Sequence, residues 1–418
     1  MTEGTLPAAY AGVDWATQKH DACIVDPQGQ VIGERQFPAD ATGLSALADW
    51  LIAKAGAAAD RIAVAIEVPH GPVVESLLER GFAVHSINPK QLDRFRDRFT
   101  VAGAKDDRRD ARALADSLRT DGRAYRLLQN DEPDVIELRE WSRMADELSR
   151  ENTVLCNRMR EQLRRFFPQV LELTDDPGEK FILALLEAVP TPADTRNRRA
   201  ASIEKILKEH RIRRWKADEV LAILRKPALV VAPGTAAAAT GHLRQLARRI
   251  RLVREQLAEC REKIDEILGR LGTAAEVEGR KNEPRDVEIL LSLPGVGRII
   301  AASLLAEASR PLRDKMYQAL RTLSGAAPVT RRTGKGVWTI RMRRSCNQRL
   351  RNAVYHWAMI AAQCDPAWRE RYAALRKRGC SHGRACRGVA DGLLRVAVAM
   401  LKNRTLYDPA RKQAKAAA

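Results

Sequence analysis

The chain has 418 residues, enough for two or three domains, and 45% hydrophobic residues with a mean hydropathy of -0.35 describe a soluble globular protein. Its longest apolar runs, such as LLRVAVAML from Leu393, are too short to span a bilayer, and the amino terminus lacks a basic-then-apolar signal layout, which excludes a membrane partner and predicts a cytoplasmic location. The net charge of +19 and pI of about 10.0 point to a polyanion, and the seven scattered cysteines predict a reduced compartment and no disulfide framework.

Along the chain, apolar runs predict strands at Tyr10–Trp15, His20–Val25 and Val31–Phe37, with a turn at Pro27–Gly29. Helix Leu44–Ala53, strand Arg61–Glu67, helix Val73–Arg80, strand Ala83–Ile87 and helix Asp107–Arg119 follow. Three meandering strands and then alternating helices and strands give the order of an RNase-H-like mixed α/β sheet. In that topology the first and fourth strands are neighbours.

The middle of the chain reads as helical. Leu138, Trp141, Ala145, Leu148, Asn152, Leu155 and Met159 keep alternating spacings of three and four, as do Leu243, Leu246, Ile250, Val253, Leu257, Cys260, Ile264, Ile267 and Leu271. Such seams predict two long coiled-coil helices that pair within one chain or between chains, with Asn152 setting register. Pro177–Gly178, Pro190–Pro192 and Pro227–Gly234 read as loops. The expected divisions are 1–128, 129–285 and 286–418.

The third part is mostly helical and opens with LLSLPGVGRIIAASLLAE, where Gly295 and Gly297 lie in a turn between apolar helices. A helix-hairpin-helix of this kind presents backbone N–H groups to phosphate, although paired glycines also merely punctuate helices. Between Arg310 and Lys415 there are 25 Lys or Arg against 5 Asp or Glu, which accounts for essentially the whole net charge. Arg331, Arg332, Lys335, Arg341, Arg343 and Arg344 cluster there as candidate nucleic-acid contacts.

Four acids carry the candidate chemistry. Asp14 and Glu67 sit at the ends of two predicted strands, and Asp107 and Asp110 lie three apart on a predicted helix, a spacing that shares one face. An oxygen-only set suits a hard cation such as Mg²⁺, and paired ions of that type serve phosphoryl transfer. Arg108, Arg109 and Arg112 border the helix as phosphate contacts or as counter-charges, and His70 follows the Glu67 strand. Cys380, His382 and Cys386 lack the second ligand pair that a zinc site needs, and His356 reads as a packed residue beside Trp357.

The motifs GVDWATQKHDACIVD, AIEVPHG, INPKQLDRFR, KDDRRDARALA, LLSLPGVGRIIAASLLAE and SGAAPVTRRTGKG together resemble the DEDD transposases of insertion-sequence family one-ten, almost end to end. The resemblance implies a RuvC-like domain whose tetrad is Asp14, Glu67, Asp107 and Asp110, with Asp106 a neighbour where the family commonly has Thr. It further implies DNA recombination with Mg²⁺, a serine nucleophile, a covalent protein–DNA intermediate, a structured noncoding guide RNA (the bridge RNA) and a homo-oligomer, dimer or tetramer, acting at the nucleoid of a bacterial cytoplasm. Where the family has its serine, five residues after Pro328 and just before Gly334, this chain has Thr333. Ser324 and Ser345 do not fit the motif. A hydrolytic nuclease of the Holliday-junction resolvase type would use the same acids, and an inactive transposase-derived nucleic-acid-binding protein would need only the basic part.

Overall fold

A computed structural model describes residues 6–96, 107–273, 284–331 and 339–409. Two compact units divide the chain, one ending at Asp131 and the other starting at Glu132.

The first unit is built on β1 (Ala9–Trp15), β2 (Lys19–Val25), β3 (Val31–Pro38), β4 (Ile62–Ile66), β5 (Ala83–Ser86) and β6 (Arg126–Leu127), in the spatial order β3-β2-β1-β4-β5-β6. β1 and β4 run parallel side by side, whereas β1–β2, β2–β3 and β5–β6 are antiparallel. The central strands are buried on both faces: all five residues of β4 are buried, which is why it reads as an unbroken apolar run.

α1 (Ala41–Ala55) starts three residues earlier than its apolar spacing predicts, because the Asp40 carboxylate accepts from Gly43 N at 2.7 Å and caps the helix. Gly56, at φ 57°, ends it in the left-handed conformation. α2 (Pro72–Glu79) links β4 to β5, α3 (Pro89–Arg96) follows β5, and α4 (Asp107–Asp121) lies across the sheet. The short α3 and the two-residue edge strand β6 have no counterpart among the elements expected from sequence.

The second unit contains α5 (Pro133–Phe166), α6 (Lys180–Ala188), α7 (Ala200–Glu209), α8 (Ala217–Leu224) and α9 (Pro233–Thr273). The loop expected at Pro227–Gly234 ends earlier, since Pro233 opens α9, where its missing N–H costs nothing. α5 and α9 pair antiparallel within the chain: Arg270 meets Asp134 and Glu137 near one end, and Arg254 Nε donates to Asn152 Oδ1 at 3.1 Å further along. The same guanidinium reaches Asp176 at 2.7 Å, so the polar seam position is satisfied and fixes one register.

One end of this pair packs against α6, α7 and α8. Towards the other, Leu138 and Ala145 share a core with Ile264, Ile267, Val287, Ala302 and Ala306. That core joins the pair to α10 (Asp286–Ser292) and α11 (Arg298–Glu307). α12 (Ser309–Arg313), α13 (Tyr317–Leu323), the hairpin β7 (Val329–Arg331) and β8 (Thr339–Arg341), then α14 (Gln348–Cys364), α15 (Pro366–Lys377) and α16 (His382–Asn403) complete the unit. Trp357 and Trp368 are fully buried at its centre. No helix among the described residues is long and apolar enough to cross a membrane.

Candidate active site

The frame of the site follows from register. Gly12 pairs with Cys23 on one side and Ala65 on the other, and these positions face α4, as Cys23 packs with Ala111 and Ala115 and Ala65 with Leu114 and Leu118. Two residues on, the same face is met again, so Asp14 and its cross-strand partner Asp21 share it, and Glu67, one step past the Val13–Ile66 pair, does too.

α4 runs opposite to β1. Its last turn reaches the β2–β3 turn, where Arg119 packs on Gly29, and its first turn lies at the carboxyl end of β1, where Lys19 Nζ stands 3.8 Å from Asp107. Asp110 is buried one turn before Leu114 on the sheet-facing side, whereas Asp107 is exposed. The helix amino terminus favours both carboxylates through its unpaired N–H groups and macrodipole. The carboxyl ends of β1 and β4 and the first turn of α4 therefore bring the four predicted acids to one end of one sheet face.

This closeness depends on Gly12. A Cβ there would lie 2.0 Å from Ala111 O and 2.6 Å from Ala115 N, so no larger residue lets α4 approach the sheet as it does. Asp21 is a fifth carboxylate, one without a motif of its own in the sequence. It is 3% exposed, accepts from Gln36 Nε2 at 3.1 Å on each oxygen, and lies 3.9 Å from Lys19 Nζ. Cys23 beneath α4 is chemically quiet, since burial and the nearby Glu34 push its thiol up to about 12.

The donor set fits a hard divalent cation in its chemistry, all oxygen with no thiol or imidazole in the tetrad. The carboxylates share a sheet end without closing on a common point: among the described residues no three His, Cys, Asp or Glu side chains converge closely enough to hold one ion. His70 lies exposed in the loop after β4, and Arg108, Arg109 and Arg112 are exposed along the first turns of α4.

With this geometry in view, the comparisons with known proteins are decisive. A DEDD transposase model of the IS110 family, described as Transposase, matches residues 11–168, and the model described as Transposase IS116/IS110/IS902 family matches residues 287–373. The protein named "Mini-circle putative transposase for IS117" of Streptomyces coelicolor is 31% identical over 98% of this chain and 98% of its own length. The chain belongs to the IS110 family of insertion-sequence transposases.

Two other relatives are similar in different ways. "Putative transposase y4uE" of Sinorhizobium fredii is 58% identical over 209 residues, which cover 50% of this transposase and 58% of that protein. "Insertion element IS110 uncharacterized 43.6 kDa protein" of Streptomyces coelicolor is 27% identical over 96% of the chain and 95% of its own length.

In the second unit of the transposase, β7 and β8 pair with Val329 opposite Arg341 and Thr330 opposite Ile340. The segment joining them carries Arg332, Thr333 and Lys335, which lie outside the described residues. Of the two nearby serines, Ser324 is 2% exposed and its hydroxyl donates to Arg321 O, while Ser345 is exposed. Arg341 and Arg344 are exposed, and Arg343 is half-buried with its carbonyl accepting from Arg351. Gly297 precedes α11 in open space, but Gly295, at φ 79°, presses on α14, where a Cβ would meet Ala361 N at 2.7 Å.

The reading of His356 as packed is corrected by the structure: it is exposed, and Trp357 is the packed neighbour, its indole donating to Pro294 O at 3.0 Å. His382 is engaged by tyrosines, Tyr355 Oη at 3.0 Å and Tyr372 Oη at 2.8 Å, one on each ring nitrogen.

Glu307, at the end of α11, is the functional candidate with least sequence signal. Its side chain is 5% exposed; Arg143 of α5 donates to it from Nε at 2.9 Å and Asn347 from Nδ2 at 2.6 Å. Burial alone would push this carboxyl up, but the Arg143 and Asn347 hydrogen bonds and the Arg143 and Arg139 charges outweigh it and hold the group below its ordinary value of 4.5. A depressed carboxyl stabilises the fold above its unfolded pKa, and that contribution is lost as pH falls through the folded value. Melting temperatures of the parent and Glu307→Gln are therefore expected to differ most at neutral pH and to converge below about pH 4.5; a gap that widens on acidification overturns the assignment.

Proposed function

We propose that this transposase cleaves and rejoins DNA through a hydroxyl of its own chain, in an RNase-H-like (RuvC-like) first unit with four carboxylates and a basic carboxyl-terminal part that carries the nucleophile. The observation that supports the reading is the gathering of Asp14, Glu67, Asp107 and Asp110 at one end of the β1–β4 face in a chain of this family. These four residues would hold Mg²⁺, whose charge, when bound, offsets the negative charge on the scissile phosphate.

In this proposal the Thr333 oxygen attacks phosphorus as its proton leaves, the bond from phosphorus to the deoxyribose oxygen breaks, and that oxygen takes up a proton. The resulting protein–DNA phosphodiester keeps the bond energy for rejoining, which attack by water would lose. Arg331, Arg332, Lys335, Arg341, Arg343 and Arg344 supply phosphate contacts, and Gly297 opens backbone N–H groups of α11 to a phosphate. A structured noncoding RNA that pairs with donor and target DNA would read sequence while the basic chain holds backbone, in a homo-oligomer.

Thr333 decides between strand transfer and hydrolysis, because its extra methyl restricts χ1 and crowds an in-line approach. Thr333→Ser is expected to raise recombination between donor and target plasmids with the flanking noncoding RNA supplied. Thr333→Val is expected to remove all protein-linked DNA from a denaturing gel, since it keeps the shape without the hydroxyl. Parent-level recombination by the valine variant would move the nucleophile to exposed Ser345, and cleavage without rejoining would favour a hydrolytic nuclease.

Binding is expected to depend steeply on salt. A protein making several phosphate contacts loses on the order of a thousandfold in affinity between about 50 and 200 mM salt. A shallow slope for the full chain on duplex DNA would sink the assignment of the basic residues.

A further inference from the structure

We infer that Glu307 and Asn347 form a tether that positions the segment carrying Thr333, so that they act on strand transfer without touching DNA. The inference rests on Thr333 being the nucleophile and concerns what holds its segment in place. Asn347 stands at the foot of the arm that leaves α13, forms β7 and β8, and returns to α14. Three bonds fix it there: its N–H donates to Leu323 O at 2.9 Å, its Oδ1 caps α14 by accepting from Leu350 N at 3.0 Å, and its Nδ2 donates to Glu307 at 2.6 Å.

Glu307 in turn is held by Arg143, and Arg139 Nε donates to the neighbouring Ala306 O at 3.0 Å, so the end of α11 is locked to α5. Arg349, two residues past Asn347, makes a parallel link to Glu147 of α5 at 2.6 Å, and Arg351 holds the Arg343 carbonyl. The descending limb of the arm is thus fastened at 343, 347 and 349, while Ile340 and Met342 just above are exposed, at 60% and 46%. Fixing the foot limits the volume that the tip explores, and placement of a nucleophile near its target is where much of a barrier is removed.

A tether and a mere fold element respond differently to two variants. Asn347→Ser keeps an N-cap of equal strength for α14 but is too short to reach Glu307. Arg143→Met with Glu307→Leu replaces the buried pair by apolar bulk, an exchange that commonly preserves stability. For both, melting temperature and DNA affinity are expected to stay near the parent's. Backbone amide exchange over 339–347 is expected to rise about tenfold, the loss of a charge-assisted hydrogen bond.

The rate of protein–DNA adduct formation at saturating DNA is expected to fall by a similar factor, with KM unchanged. Parent-level amide exchange in both variants overturns the tether. Parent-level adduct formation despite raised exchange overturns its role in positioning. The two readings fail separately: if Thr333→Val still forms adduct, the nucleophile is wrong, while amide exchange over 339–347 still decides the tether.

Discussion

Alanine at any one of Asp14, Glu67, Asp107 or Asp110 is expected to abolish strand cleavage, by at least about 100-fold, since even outer partners of metal ligands carry about 10–100-fold. DNA affinity should remain near the parent's, because the positive charge of the chain is concentrated between Arg310 and Lys415, far along the sequence from these acids. The four variants are not equivalent in stability. Asp107 is exposed and its removal should leave melting unchanged, whereas Asp110 is buried at 9% exposure and Asp110→Asn is the better control of fold. Cleavage assays with divalent cation varied, alongside direct titration of that cation by calorimetry, check both parts. Full activity in any two of the alanine variants would remove the four-carboxylate site.

Gly12→Ala should be nearly as damaging although it adds one methyl group and removes no chemistry. The new Cβ would lie 2.0 Å from a carbonyl oxygen and 2.6 Å from an amide nitrogen of α4, both helix backbone, so the whole helix must move. Overpacking of this kind costs on the order of 3 kcal/mol, and the shift carries Asp107 and Asp110 away from Asp14. Melting temperature and cleavage should fall together, with binding retained. Gly241→Ala is the matched control, because a Cβ there meets nothing within 4 Å. In the interior of α9 it should stabilise by about 1 kcal/mol.

How much of this was legible in the sequence depends on how local each signal is. The strand pair that carries Asp14 and Glu67 announces itself, because both neighbours are buried and their apolar runs are continuous. Asp107 and Asp110 are legible because helical spacing alone puts them on one face. Gly12 is visible only as a glycine in a strand, a weak sign of close backbone approach, and nothing local says that α4, a hundred residues later, is what approaches. Asp21 hides in HDACIV, where a polar residue at a strand end passes for a solvent-facing one; its burial follows from its partners Asp14 and Gln36 across two strand pairs. Glu307 is harder still, since its partner Arg143 lies on a helix formed far earlier in the chain. β6 is too short to show periodicity.

The antiparallel partnership of α5 and α9 has a consequence for how the chain is made. The apolar stripe of α5 is complete at Phe166, but its partner runs from Pro233 to Thr273, and the two pair in opposite directions. The first turns of α5 to leave the ribosome are covered by the last turns of α9, so Leu138 waits for Ile264 and Ile267. At about 5–20 residues per second that wait lasts roughly 6–25 s. A nascent chain halted before α9 carries an uncovered sticky helix, and premature termination in that interval yields fragments destined for chaperones or aggregates, not for a half-active enzyme.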